Sequence, residues 1–143
     1  PILGAIAALL MWGIAALAPG LSFALAGQSV LAAALAAVGV AIDLTAITAF
    51  ARAHTTITPL NPQNARHLVV SGIYGLTRNP MYLGLVVLLC GWAVWLGNPL
   101  NVGVLAGFVA YLVRFQIRPE EAILTEVFGE PYRAYMRRVR RWI

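Results

Sequence analysis

Four apolar runs, separated by short polar breaks, leave this chain few folds to choose from. Pro1 to Ala18 carries no charge and stops at Pro19-Gly20; Ser29 to Phe50 contains one, Asp43; Pro80 to Leu96 contains none. The fourth runs from Pro99 to about Arg118 after the turn Gly97-Asn98-Pro99. At about 1.5 Å per residue, runs of this length reach across a hydrocarbon core of roughly 30 Å. In lipid a chain must satisfy its backbone within each segment, so the runs are expected to be helices. The expected fold class is all-α: a polytopic integral membrane protein of about four transmembrane helices plus an amphipathic C-terminal helical segment.

Charge placement supports this. Only 10% of the 143 residues are charged, against about 25% in soluble globular chains. All ten basic residues are arginine, and they stand at or beyond the ends of the apolar runs, at 52, 66, 78, 114, 118, 133, 137, 138, 140 and 141. The net charge of +5 therefore follows the positive-inside pattern and does not form a basic nucleic-acid face. It places the 52–79 loop and both termini in the cytoplasm. The first run lacks the basic n-region of a secretory signal and is expected to remain as a span. Cys90, the single cysteine, lies inside an apolar run and excludes a disulfide framework.

Small residues are spaced for close helix packing. Ala32, Ala36, Gly39 and Asp43 share one face of the second span, and Gly103 and Gly107 form a GxxxG pair in the fourth; such residues let helices approach closely in lipid. Asn79 and Pro80 have the character of an N-cap and first helical residue. Pro119 is expected to restart the helix in a new direction. The tail from Glu120 to Ile143 alternates apolar and charged residues and breaks near Gly129-Glu130-Pro131, which suits the membrane–water interface. One domain is expected, with residues 1–51 as supporting spans and 52–143 as the functional part.

Polar chemistry concentrates in His67-Leu-Val-Val-Ser-Gly-Ile-Tyr-Gly-Leu-Thr-Arg-Asn-Pro-Met-Tyr-Leu-Gly84 and in Arg118-Pro119-Glu120-Glu121. Each has a plain structural explanation. Arg78-Asn79-Pro80 reads as a juxtamembrane arginine before a helix cap. Glu120 and Glu121 complement the dipole of a helix that starts at proline. Acidic residues near a bilayer nevertheless need partners, and Arg78 is the nearest candidate. Asp43 is costly as a charge inside a span and is either protonated, paired with an arginine that reaches in, or part of a substrate cavity. His54 and His67 read as surface residues. No HExxH, CxxC, GxGxxG or Walker pattern is present, so metal, dinucleotide and P-loop chemistry find no support.

Leu68-Val69-x-x-Gly72-x-Tyr74-x-x-x-Arg78-Asn79-Pro80-x-Tyr82-x-Gly84, followed by Glu120-Glu121-x-x-Leu124-x-x-x-Phe128-Gly129-Glu130-x-Tyr132 and the ending Val139-x-Arg141, strongly resembles the isoprenylcysteine carboxyl methyltransferase family, which belongs with the membrane phospholipid methyltransferases. The resemblance covers about residues 54 to 142. It implies methyl transfer from S-adenosylmethionine to a lipophilic acceptor, foremost carboxyl methylation of the isoprenylcysteine type. Phospholipid amine N-methylation and small-thiol S-methylation are the alternatives, and a membrane scaffold is the non-enzymatic one. Carried over by residue, it implies a cofactor site of His67, Leu68, Val69, Gly72, Tyr74, Arg78, Asn79, Pro80, Tyr82, Gly84, Glu120 and Glu121. Arg78 and Glu121 are the expected catalytic residues and no metal is implied. Asp43 lies outside the resemblance and is the candidate substrate residue by its depth in the second span. The eukaryotic carboxyl methyltransferases have histidine where Asn79 stands and another in the place of Arg66.

Overall fold

A computed structural model describes residues 2–52 and 68–143. His54, Arg66 and His67 lie outside the described residues. Every regular element among the described residues is helical: α1 (Ile2–Leu17), α2 (Gln28–Arg52), a 3₁₀ turn (Gly72–Gly75), α3 (Pro80–Leu96), α4 (Asn101–Tyr111), a π-helical segment (Leu112–Ile117), α5 (Arg118–Phe128) and α6 (Glu130–Arg138). A further 3₁₀ turn, Pro19–Leu21, follows α1.

Two stretches, Gln28–Arg52 and Asn101–Phe128, are long and apolar enough to cross a membrane. α1 and α3 have 16 and 17 residues, which at 1.5 Å each is slightly short of a hydrocarbon core of about 30 Å. Large apolar side chains such as Leu17, Val30, Val102 and Phe115 lie exposed along the helices. A soluble protein rarely leaves so much apolar surface in water, whereas lipid covers it without cost.

The chain forms two compact units. The first comprises Pro1–Ala41 and Gly84–Tyr111. Its helices meet through small residues. A Cβ added to Gly39 would stand 2.8 Å from the Gly84 carbonyl oxygen and 2.7 Å from Leu88 Cγ. One added to Gly91 would stand 2.9 Å from the Ala32 carbonyl. The Ala32, Ala36, Gly39 face of α2 thus lies directly on the backbone of α3, as its spacing predicts. Gly103 and Gly107 do not behave this way: nothing lies within 4 Å of where their Cβ atoms would be. That pair faces outward because the buried side of α4 is the one carrying Asn101 and Phe108.

Several polar contacts in this unit gather at one end, while Trp92 donates from Nε1 to the Ala8 carbonyl at 3.0 Å between α3 and α1. Gly97 turns with φ +62° and its carbonyl accepts the Phe23 amide at 3.0 Å. Buried Asn98 donates from Nδ2 to the Ala18 carbonyl (3.0 Å) and Ser22 Oγ (3.2 Å), and its Oδ1 accepts the Leu100 amide. Gln28 donates from Nε2 to the Val94 carbonyl at 2.7 Å.

The second unit comprises Ile42–Leu83 and Leu112–Ile143. The helix does not restart at Pro119; Asn101–Phe128 runs on as one helix through the π segment. Proline has no amide for the carbonyl four residues back, and a π turn moves that bond to the residue five ahead, so the helix passes the proline without ending. Gly129, at φ +61°, separates α5 from α6 where the break was expected.

Candidate active site

Within the second unit, the start of α3 and the end of the chain are sewn together by backbone. The Arg78 amide donates to the Arg140 carbonyl at 3.0 Å. Thr77 Oγ1 donates to the Arg141 carbonyl at 3.2 Å, and Asn79 Nδ2 donates to the same oxygen at 3.0 Å. The Asn79 side chain therefore reaches across to the tail, while its carbonyl accepts the Leu83 amide and starts α3. Thr77 Oγ1 also accepts the Asn79 amide at 3.2 Å, which accounts for a buried threonine just ahead of a helix.

α6 supplies the packing behind this seam. Tyr132, Tyr135 and Val139 are buried together, with Leu68, Leu124, Phe128 and Met136 against them. Tyr135 donates its hydroxyl to the Tyr74 carbonyl at 2.7 Å. The buried Tyr74 ring meets Phe50 edge-on, with centroids 5.1 Å apart. Tyr74 thus ties the 3₁₀ turn ahead of α3 to Phe50 of α2 and Tyr135 of α6. Burial first, then the neighbouring acidic groups of Tyr135, Asp43 and Glu120, pushes its phenol well above the ordinary range.

The charged centre is Glu121. Arg141 grips it with a fork, Nε to Oε1 at 3.1 Å and Nη2 to Oε2 at 2.7 Å. Arg78 Nη1 approaches Oε1 at 3.1 Å. Side-chain exposure is 10% for Arg78, 13% for Glu121 and 31% for Arg141, so this is an almost dry ion cluster. The hydrogen bonds to Glu121 raise the Arg141 guanidinium above its ordinary range. Burial, then Glu121, pushes the Tyr132 phenol up to about 12, with Arg78 pulling the other way. The Arg78 ion pair lacks hydrogen-bond geometry, and Arg78 Nε and Nη1 remain buried without a hydrogen-bond acceptor. Buried charged donors of this kind are costly unless something supplies an acceptor.

Glu120 takes a different partner set. Tyr82 donates to Glu120 Oε1 at 2.6 Å, and Gln116 Nε2 lies 3.5 Å from the same oxygen. Gln116 belongs to the π segment, which is where functional helices often depart from α geometry. The two glutamates are neighbours in sequence but serve two clusters. Asp43 lies on the α2 face that also carries Ala46, fully buried, and Phe50. Asp43 Oδ1 is buried and has no hydrogen-bond partner among the described residues.

The structure therefore brings together Arg78, Asn79, Tyr82, Glu120 and Glu121, with Tyr74, Pro80 and Leu68 as their packing. Val69 is half-buried beside Leu68, and Gly72 opens the 3₁₀ turn at φ +62°. Gly84 belongs to the first unit, where its carbonyl faces Gly39. Arg141, Tyr132, Tyr135, Thr77 and Gln116 were not among the residues assigned to the site from sequence. Tyr132 and Arg141 stand in the motif that carries the resemblance. Nothing local to Thr77 or Gln116 marks them, since their partners are 64 residues away and across a π turn. Among the described residues no three metal-binding side chains cluster.

The described residues thus form apolar helices suited to lipid, with a cluster of polar and charged side chains at helix ends. The phospholipid methyltransferase family model matches residues 28–131, most of the chain. An uncharacterized protein of Haemophilus influenzae is 45% identical over 64 residues, 44% of this chain and all of that protein. A probable protein-S-isoprenylcysteine O-methyltransferase of Oryza sativa is 30% identical over 105 residues, 71% of this chain and 53% of that one. Protein-S-isoprenylcysteine O-methyltransferase A of Arabidopsis thaliana is 33% identical over 98 residues, 68% of this chain and 50% of that one. The chain thus spans about half the length of these plant relatives. No solved structure matches it. The chain belongs to the phospholipid methyltransferase family, a family of membrane methyltransferases that includes the isoprenylcysteine enzymes.

Proposed function

We propose that this chain transfers a methyl group from S-adenosylmethionine to a lipophilic acceptor that enters from the bilayer. The observation that carries the reading is Arg78, whose Nε and Nη1 are buried without a hydrogen-bond acceptor in a cluster of two guanidinium groups and one carboxylate. Such a group fits the carboxylate of an amino-acid-like ligand, where each charge-assisted hydrogen bond contributes about 1.5–3 kcal/mol. Glu120, polarised by the Tyr82 hydroxyl, fits the ligand's ammonium or ribose hydroxyls. The bound cofactor supplies an electrophilic methyl on a sulfonium. The chain's own work is to hold both reactants in line and keep water out, which demands little acid–base help when the acceptor is already anionic.

The names of the plant relatives support a carboxylate acceptor of the isoprenylcysteine type, and the family description supports a phospholipid amine as second reading. The four apolar runs support a reading of four spans, and the arginine placement supports putting the site and both termini on the cytoplasmic side. Asp43 is proposed on the acceptor side. The test is titration of S-adenosylhomocysteine into the purified chain in lipid, then incubation with methyl-labelled cofactor and a lipid extract. Saturable binding and a base-labile labelled product are expected. A stable methylamine would move the acceptor to an amine, and absence of binding would leave only a scaffold role.

A further inference from the structure

We infer that Arg141 is a positioning residue for Arg78: by occupying Glu121 it keeps Arg78 available to an anionic ligand. The inference rests on the cofactor reading above and deepens it. Glu121 has two carboxylate oxygens, and Arg141 takes both in a planar fork. Arg78 is left with a single 3.1 Å approach that lacks hydrogen-bond geometry. Two guanidinium groups face one carboxylate, so these three side chains keep one net positive charge, and the donors without an acceptor are Arg78 Nε and Nη1.

Removing the Arg141 side chain changes that balance. Glu121 is only 13% exposed and would then have Arg78 as its one ion-pair partner. A buried carboxylate in that position draws its remaining cation into a full pair. Arg78 would spend on Glu121 the donors that a ligand needs. Glu121 accordingly acts through the two arginines rather than on the ligand, and the ligand-facing acid is Glu120, whose partners are Tyr82 and Gln116.

The tail holds Arg78 by its backbone as well, through the Arg140 carbonyl and the bonds from Thr77 and Asn79 to the Arg141 carbonyl. Those bonds use main-chain oxygens and survive side-chain truncation. Arg140 itself is exposed, and its side chain is not used in the seam. It serves as the matched control.

The experiment titrates S-adenosylhomocysteine into the full chain in lipid nanodiscs, for wild type, R141A, R141A/E121Q and R140A, with melting curves alongside. R141A should bind about tenfold more weakly, the loss of about one charged hydrogen bond. R141A/E121Q should recover at least about threefold of that loss, because a neutral amide no longer competes for Arg78. A merely structural role for Arg141 would make the double variant as weak as R141A or weaker. R140A should match wild type. If R141A does not fold, R141K and R141K/E121Q make the same comparison, since lysine keeps a charge without the fork. A folded R141A within twofold of wild type, or a double variant no better than the single, overturns the inference while leaving the cofactor reading intact. Failure of wild type to bind overturns both.

Discussion

The two compact units differ in what lies at their most intimate contacts. In the first, α2 lies on α3 because Gly39 and Gly91 have no side chains, and the contact is backbone against backbone. In the second, the start of α3, the π segment, α5 and the tail are held by directed bonds: Tyr135 to Tyr74, Thr77 and Asn79 to Arg141, and the Arg141–Glu121–Arg78 cluster. Close packing of small residues tolerates lipid on every other side and asks nothing of water. Directed bonds place donors and acceptors at fixed points, which a binding site needs and a scaffold does not. Under the proposed function, the first unit would serve as support and the second would carry the chemistry.

The largest effect should come from Arg78→Ala. S-adenosylhomocysteine binding should weaken by about 1.5–3 kcal/mol, read by titration, with thermal stability nearly unchanged because Glu121 keeps Arg141. Gly39→Val should do the reverse. Its added atoms meet the Gly84 carbonyl and the Leu88 amide, which cannot rotate away, so about 1–3 kcal/mol of stability should be lost. The folded fraction should still bind with wild-type affinity. If Gly39→Val lowers affinity as much as Arg78→Ala does, support and chemistry are not separable in this chain.

Tyr135→Phe sharpens the contrast at intermediate size. It removes one buried hydroxyl and leaves the Tyr74 carbonyl without that donor, at about 0.5–1.5 kcal/mol by thermal or chemical denaturation. Asp43→Asn should leave S-adenosylhomocysteine affinity within about threefold, under roughly 1 kcal/mol, while altering acceptor turnover. A loss as severe as that of Arg78→Ala would put Asp43 on the cofactor instead. The smallest effect is expected of Gly107→Ala. Open space surrounds the position, so the change should be neutral or raise stability by up to about 1 kcal/mol through helix propensity. Marked destabilisation would mean that another surface packs on it.

Much of this was legible before any coordinates. The apolar runs, the inward face of Ala32, Ala36 and Gly39, and the turns at Gly97 and Gly129 follow from residue type and spacing, because local sterics and helical period act within a few residues. The motif around Arg78 and Glu120–Glu121 marked the polar rim, since buried charge needs a partner wherever it occurs. Other features were decided only in three dimensions. The GxxxG pair of Gly103 and Gly107 has the right spacing but points outward, as period alone does not choose which face a partner covers. Pro119 has the residue type of a helix break, yet a π turn upstream carries the helix past it. The division between Glu120 and Glu121 was beyond the sequence altogether. Adjacent residues on a helix point about 100° apart, and what each one meets depends on which distant side chain arrives there. Tyr82 reaches Glu120, whereas Arg141, twenty residues further on, reaches Glu121.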